Sequence, residues 1–147
     1  MLNKGLISRK KNDWQTPGWL FNELYDEFKF DLDPCPVDPS FDGLSIEWGK
    51  VNFCNPPYNK IKKWLIKGIE EWCLGKTIVC LIPARTDTKW FKSYCMQANE
   101  IRFITGRLKF SNSKINAPFP SMIVIFNGDK WKDMDTRPKF SLMEKKC

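Results

Sequence analysis

The chain has 147 residues, a length that fits one domain or one domain with short tails. A composition of 42% hydrophobic, 14% aromatic and 28% charged residues is typical of a globular protein and excludes disordered, collagen-like and coiled-coil chains. No apolar run approaches the ~20 residues that span a bilayer, and no apolar segment of a secretory signal follows the basic start. We therefore expect a soluble, cytoplasmic protein that is not membrane-bound.

The absence of histidine and the placement of the cysteines narrow the chemistry. Without histidine, Ser-His-Asp catalysis, Cys-His catalysis and histidine-bound zinc are excluded. The six cysteines include no Cys-x-x-Cys pair, and at least three lie in apolar stretches, so we expect buried thiols and no metal. What remains is chemistry that a cofactor supplies, or binding alone.

The net charge of +7 is distributed unevenly. Residues 1–12 carry four basic and no acidic side chains, residues 13–47 one basic and nine acidic, and residues 48–147 nineteen basic and eight acidic. An acidic segment thus lies inside a basic chain. The basic part suits a polyanion such as nucleic acid, and the alternative is a solvated basic surface.

The first part of the chain predicts one helix and two short strands. Thr16 can cap the helix and Pro17 fits its first turn, and its apolar positions are Leu20, Leu24 and Phe28. In order, we expect a flexible basic arm at 1–12, this helix, a strand at 30–33, a loop at 34–45 and a strand at 51–54.

Strands and helices alternate in the second part. An apolar stripe predicts an amphipathic helix that Gly75 ends; it comprises Ile61, Trp64, Leu65, Ile69 and Trp72. We then expect a buried strand at 77–82, a helix at 88–96, a hairpin of 101–104 with 107–110, a buried strand at 122–126 and an irregular or weakly helical tail after Gly128. This order indicates an α/β fold, with a mainly parallel sheet and antiparallel strands late in the chain.

Unusual proline-rich segments follow three of the predicted strands. They are Asp33-Pro34-Cys35-Pro36, Asn55-Pro56-Pro57-Tyr58 and Pro83-Ala84-Arg85-Thr86-Asp87. Because ligands bind beyond the carboxyl ends of such strands, we expect the three segments to converge on one site.

Asn55-Pro56-Pro57-Tyr58 resembles the catalytic tetrapeptide of S-adenosylmethionine-dependent amino-methyltransferases. A wider set of segments, over about residues 13–127, resembles the phage-type DNA N6-adenine methyltransferase family. The set comprises Asp13-Trp14-Gln15-Thr16-Pro17, Phe30-Asp31-Leu32-Asp33, Phe53 to Tyr58, Pro83 to Thr88 with Trp90-Phe91, Gly106 to Phe110, and Ala117-Pro118-Phe119-Pro120-Ser121. The resemblance implies a methyltransferase domain at 13–128, with the tail at 129–147 outside it.

The implied reaction moves a methyl group from S-adenosyl-L-methionine to N6 of an adenine flipped out of double-stranded DNA. An exocyclic amine is a poor nucleophile, so it must be held with its lone pair toward the methyl group. The Asn55 side-chain oxygen and the Pro56 carbonyl can each accept one N–H. Pro56 and Pro57 stiffen the turn, and the Tyr58 ring can stack on the base. The alternative is a rigid turn without chemistry.

The resemblance implies that the cofactor binds at the Thr-Pro pair before the first strand and at the acidic segment after that strand. The candidates are Gln15, Thr16, Pro17, Asp33, Pro34, Cys35, Asp42 and Asn55. No glycine-rich loop follows the strand, and too little chain lies between Pro36 and Val51 for a complete helix and strand, so we expect a Rossmann-like fold trimmed at this edge. The alternative roles are a loop cap for Asp33 and a turn former for Asp42.

Candidate DNA contacts are Arg85, Arg107 and Lys109, and the alternative is that they are solvated surface charges. Phe119 is a candidate residue for wedging into the duplex or reading it.

Two other functions stay open. One is methyl transfer to cytosine N4, RNA or protein glutamine, and the other is a non-catalytic DNA-binding module with a methyltransferase-like shell. The oligomeric state and the recognition sequence are left open by these patterns.

Overall fold

The computed structural model describes residues 15–36, 39–130 and 138–146, so the predicted arm at 1–12 lies outside the described residues. Three helices and five strands are assigned there: α1 (Gly18–Phe28), β1 (Val51–Cys54), α2 (Ile61–Cys73), β2 (Thr77–Pro83), α3 (Lys89–Ser93), β3 (Glu100–Ile104), β4 (Ser121–Phe126) and β5 (Lys139–Met143). Short 3-10 turns span Cys95–Gln97 and Gly128–Lys130. Within the same residues, no helix combines the length and apolar character needed to cross a membrane.

The five strands form one sheet in the order β1-β2-β4-β3-β5. β1 is parallel to β2 and β3 is parallel to β5, whereas β4 is antiparallel to both of its neighbours. Four strands therefore run in one direction, and the late strand β4 runs against them. The predicted α/β class and the late antiparallel pairing are confirmed.

Helices cover both faces of the sheet because the central strands are apolar on both sides. In β2, Ile78, Cys80 and Ile82 join the core under α2 and α3, whereas Val79 and Leu81 join the core under α1. Such continuous burial explains why β2 reads as an unbroken apolar run. Among the described cysteines, Cys35, Cys54, Cys80 and Cys95 are buried, and Cys73 is exposed.

The start of α1 differs from the prediction. Pro17, not Thr16, occupies the N-cap position, and no side chain caps the helix. The carbonyl of Pro17 accepts the N–H of Phe21 at 3.0 Å. Thr16 is buried and its hydroxyl is used elsewhere, as described below.

The predicted strand at 30–33 is reduced to one parallel bridge between Leu32 and Asn52. Two backbone hydrogen bonds hold it to β1, from Asp31 N–H to the Val51 carbonyl at 2.9 Å and from Phe53 N–H to the Leu32 carbonyl at 3.0 Å. The described residues of 34–50 form turns and bends and contain no helix or strand. Among the described residues, no complete helix and strand lies between Pro36 and Val51.

Two predictions for the later chain are wrong. Residues 107–110 do not pair with β3, because β4 and β5 already occupy both of its edges. The chain leaves the sheet at Gly106, whose φ of +76° suits glycine, and Leu108 and Phe110 enter the core under α1. The tail is not irregular throughout, because β5 adds an edge strand to the sheet.

A buried carboxylate ties α2 to the loop before β1. Glu71 is 2% exposed and accepts the Trp48 N–H at 2.9 Å, while the ammonium groups of Lys76 and Lys67 lie at 2.8 and 3.1 Å. Burial by itself raises the pKa of Glu71, but these hydrogen bonds and charges outweigh it, so the pKa lies below its ordinary value. Gly75 follows α2 with a φ of +91°, as the predicted stop requires.

Candidate active site

The Asn-Pro-Pro-Tyr segment forms the turn that joins β1 to α2, as predicted. Asn55 is 1% exposed and directly follows the last residue of β1. The Pro57 carbonyl accepts the N–H of Lys60 at 3.0 Å, which leads the chain into α2. Because proline restricts φ at two consecutive positions, the backbone of this turn is fixed before any ligand binds.

Thr16 brings the segment before α1 onto this turn. The side-chain amide of Asn55 donates from Nδ2 to Thr16 Oγ1 at 2.9 Å, and both residues are buried. A carboxamide is planar with its nitrogen and oxygen on opposite sides. The bond therefore directs Asn55 Oδ1 away from Thr16.

A further segment holds Thr16 in place. Ser111 donates from its hydroxyl to the Thr16 carbonyl at 3.0 Å and from its N–H to the Gln15 carbonyl at 2.9 Å. The N–H of Gln15 in turn donates to Asn112 Oδ1 at 3.0 Å. Residues distant in sequence are thus joined in one hydrogen-bonded path that ends on Asn55.

The Tyr58 ring lies between the two cores and is held by aromatic contacts. It packs edge-on against Phe119 with centroids 5.5 Å apart and against Phe110 with centroids 6.4 Å apart. Phe119, a candidate DNA contact, is only 8% exposed. In this structure its ring packs in the core and orients Tyr58, so it is not presented as an exposed wedge.

The Asp33 segment reaches the same edge of the sheet through the bridge to β1. Asp33 is 2% exposed, and its Oδ1 accepts the N–H of Cys35 at 2.9 Å. The loop-cap role is therefore present. Gly43 packs against the Pro34 carbonyl and the Trp64 ring so closely that any side chain at 43 would collide with them.

Asp42 forms a turn on the exposed side of this loop. Its carboxylate accepts the Ser45 hydroxyl at 2.7 Å and the Leu44 N–H at 3.0 Å. The Ser45 hydrogen bond, the Leu44 hydrogen bond and the charge of Lys60 lower the pKa of Asp42. These are the contacts of the turn-forming alternative.

The segment after β2 is tied to the one before β4. Ala84 N–H donates to the Pro120 carbonyl at 2.8 Å, and Pro83 pairs with Ser121. Arg85 is exposed beyond this junction. The third predicted segment therefore does lie at the same edge of the sheet as Asn55.

A basic groove of about 430 Å³ lies on the α1 side of the site. Arg107 and Lys109 line it together with Lys145, which was not among the predicted site residues. The start of α1, from Pro17 to Trp19, and Ser111 form other parts of its wall. The fold thus adds a third cation from the C-terminal residues.

A second groove, of about 460 Å³, lies on the α2 side and begins at Tyr58. Its walls include Lys60, Lys62 and Lys63 from the start of α2 and Trp90 from α3. None of these four residues was predicted as a site residue, although the three lysines just after the tetrapeptide were a visible signal. Trp90 lies in one of the segments that resemble the family, but its spacing fits ordinary helix packing, so it was not predicted to line a site.

The α/β fold is compatible with a methyltransferase-like fold. Its rigid Asn-Pro-Pro-Tyr turn lies at the carboxyl edge of the sheet, and basic grooves flank this turn. Comparison with known proteins defines the family. The sequence model of the family described as DNA N-6-adenine-methyltransferase (Dam) matches residues 4–145. A protein of Haemophilus phage HP1 (strain HP1c1), named DNA N-6-adenine-methyltransferase, is 31% identical over 147 residues, covering 86% of this chain and 85% of its own.

The chain belongs to the DNA N-6-adenine-methyltransferase (Dam) family. The resemblance drawn from the sequence motifs is confirmed, and the class of enzyme is an adenine-N6 DNA methyltransferase.

Proposed function

We propose that the chain transfers the methyl group of S-adenosyl-L-methionine to N6 of an adenine that is flipped out of double-stranded DNA, at the turn Asn55 to Tyr58. The observation that carries this proposal is the buried hydrogen bond from Asn55 to Thr16. It fixes an amide at the carboxyl edge of a sheet, where ligands of α/β proteins bind.

Asn55 Oδ1 and the Pro56 carbonyl accept the two N–H groups of the adenine amine. Two fixed acceptors favour a pyramidal nitrogen and turn its lone pair toward the methyl group. Because both acceptors are already oriented, little reorganisation is needed when charge develops on the nitrogen. The proton is lost after methyl transfer, so no general base is required before it.

The Tyr58 ring provides a stacking surface for the flipped base. Phe119 and Phe110 support it from the side, so the ring is held in place before the base arrives. Stacking of this kind contributes about 1–3 kcal/mol per base. That offsets much of the few kcal/mol that flipping costs.

The candidate cofactor segments fit a cationic ligand that also has polar groups. Asp33 supplies a buried carboxylate in the acidic segment, which suits an amino group or a ribose hydroxyl. Within the described part of the chain, the buried Trp64 Nε1 and Ser121 Oγ have no hydrogen-bond partner. When bound, S-adenosylmethionine supplies an electrophilic methyl group, and we assign its contacts to residues 15–17, 33–35 and Asn55, with Asp42 the most peripheral candidate.

For DNA, we assign phosphate contacts to Arg85, Arg107 and Lys109. The three side chains lie at the carboxyl edge, and the last two line the groove on the α1 side. Phosphate contacts supply most of the salt-dependent affinity of such proteins. We place the reaction in the cytoplasm, and in the host cytoplasm for a phage-encoded enzyme, and every residue assigned above lies within residues 13–128.

The test is methylation of an unmethylated plasmid by the purified chain with methyl-labelled S-adenosylmethionine, followed by nucleoside analysis and mapping of the modified positions. We expect the label in N6-methyladenine at a defined sequence. Label found only in N4-methylcytosine, RNA or protein glutamine would overturn the proposed acceptor. DNA binding without any calorimetric signal for S-adenosylmethionine would instead favour the non-catalytic module.

A further inference from the structure

The groove on the α2 side combines positive charge with aromatic walls next to the proposed catalytic turn. Tyr58 belongs both to that turn and to the groove. Lys60, Lys62 and Lys63 are exposed, and none of the described residues that line the groove is acidic. A ligand that leaves the turn on this side therefore meets cations and a second aromatic ring, Trp90.

The position of these lysines on α2 is unfavourable for the helix itself. Lys60 is the N-cap residue, and Lys62 and Lys63 lie in the first turn, which contains no acidic residue. Positive charge at this end of a helix opposes the macrodipole, and acidic residues are the stabilising choice there. Burial of the apolar stripe of α2 maintains the helix, so the lysines are available for another role.

Trp90 is held at the opposite wall by the start of α3. The Thr88 hydroxyl accepts the Phe91 N–H at 3.2 Å and donates to the Arg85 carbonyl at 2.8 Å. Phe91 is buried and anchors the short helix, whereas Trp90 is half-buried. Part of its ring therefore packs on the core, and part is presented to the groove.

We propose that this groove holds the DNA strand that carries the flipped adenine, with Lys60, Lys62 and Lys63 on its phosphates and Trp90 stacked on the face of the neighbouring base that flipping uncovers. The inference rests on the proposed function, because a base held at Tyr58 fixes where its own strand must continue. Aromatic side chains with lysines along a groove form the usual binding surface for a single strand.

The first experiment measures the salt dependence of DNA binding, with a duplex that contains the mapped adenine. The double variant Lys62→Gln/Lys63→Gln is compared with the wild type and with a control of equal charge, Lys29→Gln/Lys50→Gln. The control lysines are exposed and precede the bridge at Leu32 and strand β1, at the amino edge of the sheet. Since each phosphate contact contributes about 0.9 to the slope of log K against log salt, the groove variant should reduce the slope by about two and the control by almost nothing.

The second experiment tests Trp90 with 2-aminopurine placed beside the target adenine. Trp90→Ala should raise its fluorescence in the complex because a stacking partner is lost, and Trp90→Phe should restore much of the quenching. Calorimetry with S-adenosylhomocysteine should give wild-type affinity for all of these variants.

Equal slopes for the groove and control variants, or unchanged fluorescence in Trp90→Ala, would overturn the inference while plasmid methylation still stands. An absence of adenine methylation by the wild type would overturn the proposed function instead. The slope measurement on unmodified DNA would then still report whether the groove binds phosphates.

Discussion

The side-chain amide of Asn55 donates to the hydroxyl of Thr16 at 2.9 Å, across 39 positions of sequence. Thr16 was predicted to cap α1, but in the structure its hydroxyl instead accepts a hydrogen bond from the turn after β1. This bond joins the segment before the first helix to the proposed catalytic residue, and it sets the orientation of the Asn55 amide.

Thr16→Val should reduce turnover by about tenfold to a hundredfold. Valine has nearly the same shape but no acceptor, so the buried Asn55 amide loses its partner and its fixed orientation. Thr16→Ser retains the hydroxyl and should recover most of the activity, while DNA affinity stays near wild type in both variants. If steady-state kinetics find the serine variant as impaired as the valine variant, the threonine methyl group rather than its hydroxyl is what matters.

Asn55→Ala should lower turnover by at least about a hundredfold, the scale of losing one preorganised polar contact at a reacting centre. Affinity for S-adenosylmethionine should fall far less than turnover, because Asn55 is only one of several assigned cofactor contacts. Asn55→Asp keeps an accepting oxygen at the same position and is the matched variant, so it should retain more activity than alanine. Single-turnover methylation and calorimetry measure the two effects separately, and wild-type turnover of the alanine variant would refute the assigned role.

Tyr58→Ala should impair base placement more than cofactor binding. Removal of the ring deletes the stacking surface, so 2-aminopurine at the target position should lose its flipping signal. Tyr58→Phe keeps the ring and should preserve that signal. A normal signal in the alanine variant would mean that another side chain supports the base.

Phe119→Ala should lower the free energy of unfolding by about 3–5 kcal/mol, because the ring is buried against Tyr58 and Phe110. Phe119→Leu fills most of the space and should cost less. Urea denaturation measures both variants. An alanine variant of wild-type stability with weakened DNA binding would instead support the wedge role that the sequence suggested.

Glu71 makes stability sensitive to acid. Its pKa is lower in the folded state than its ordinary value of 4.5, so its charged form contributes stability above that value, and the contribution is lost as the pH falls through the lowered pKa. Glu71→Gln removes this titration. Denaturation curves from about pH 6 to about pH 3 should therefore show a steeper loss for the wild type than for the glutamine variant. Parallel losses would show that other carboxylates carry the acid sensitivity.

Local patterns predicted most of the secondary structure because they depend on residues close in sequence. The apolar stripe of α2 and the continuous apolar runs of β2 and β4 each report burial directly. The hairpin at 101–110 was predicted wrongly because strand pairing depends on which partners compete for an edge, and β4 and β5 took both edges of β3.

The sequence by itself determined the family, the α/β class and the Asn-Pro-Pro-Tyr turn between a strand and a helix, because each is encoded in residue types at short spacing. Only the tertiary structure decided that Thr16 orients Asn55, that Phe119 supports Tyr58 from within the core, and that Lys145 and Trp90 reach the two grooves. These relationships join residues far apart in the chain, and they depend on how helices and loops pack against the edge of the sheet.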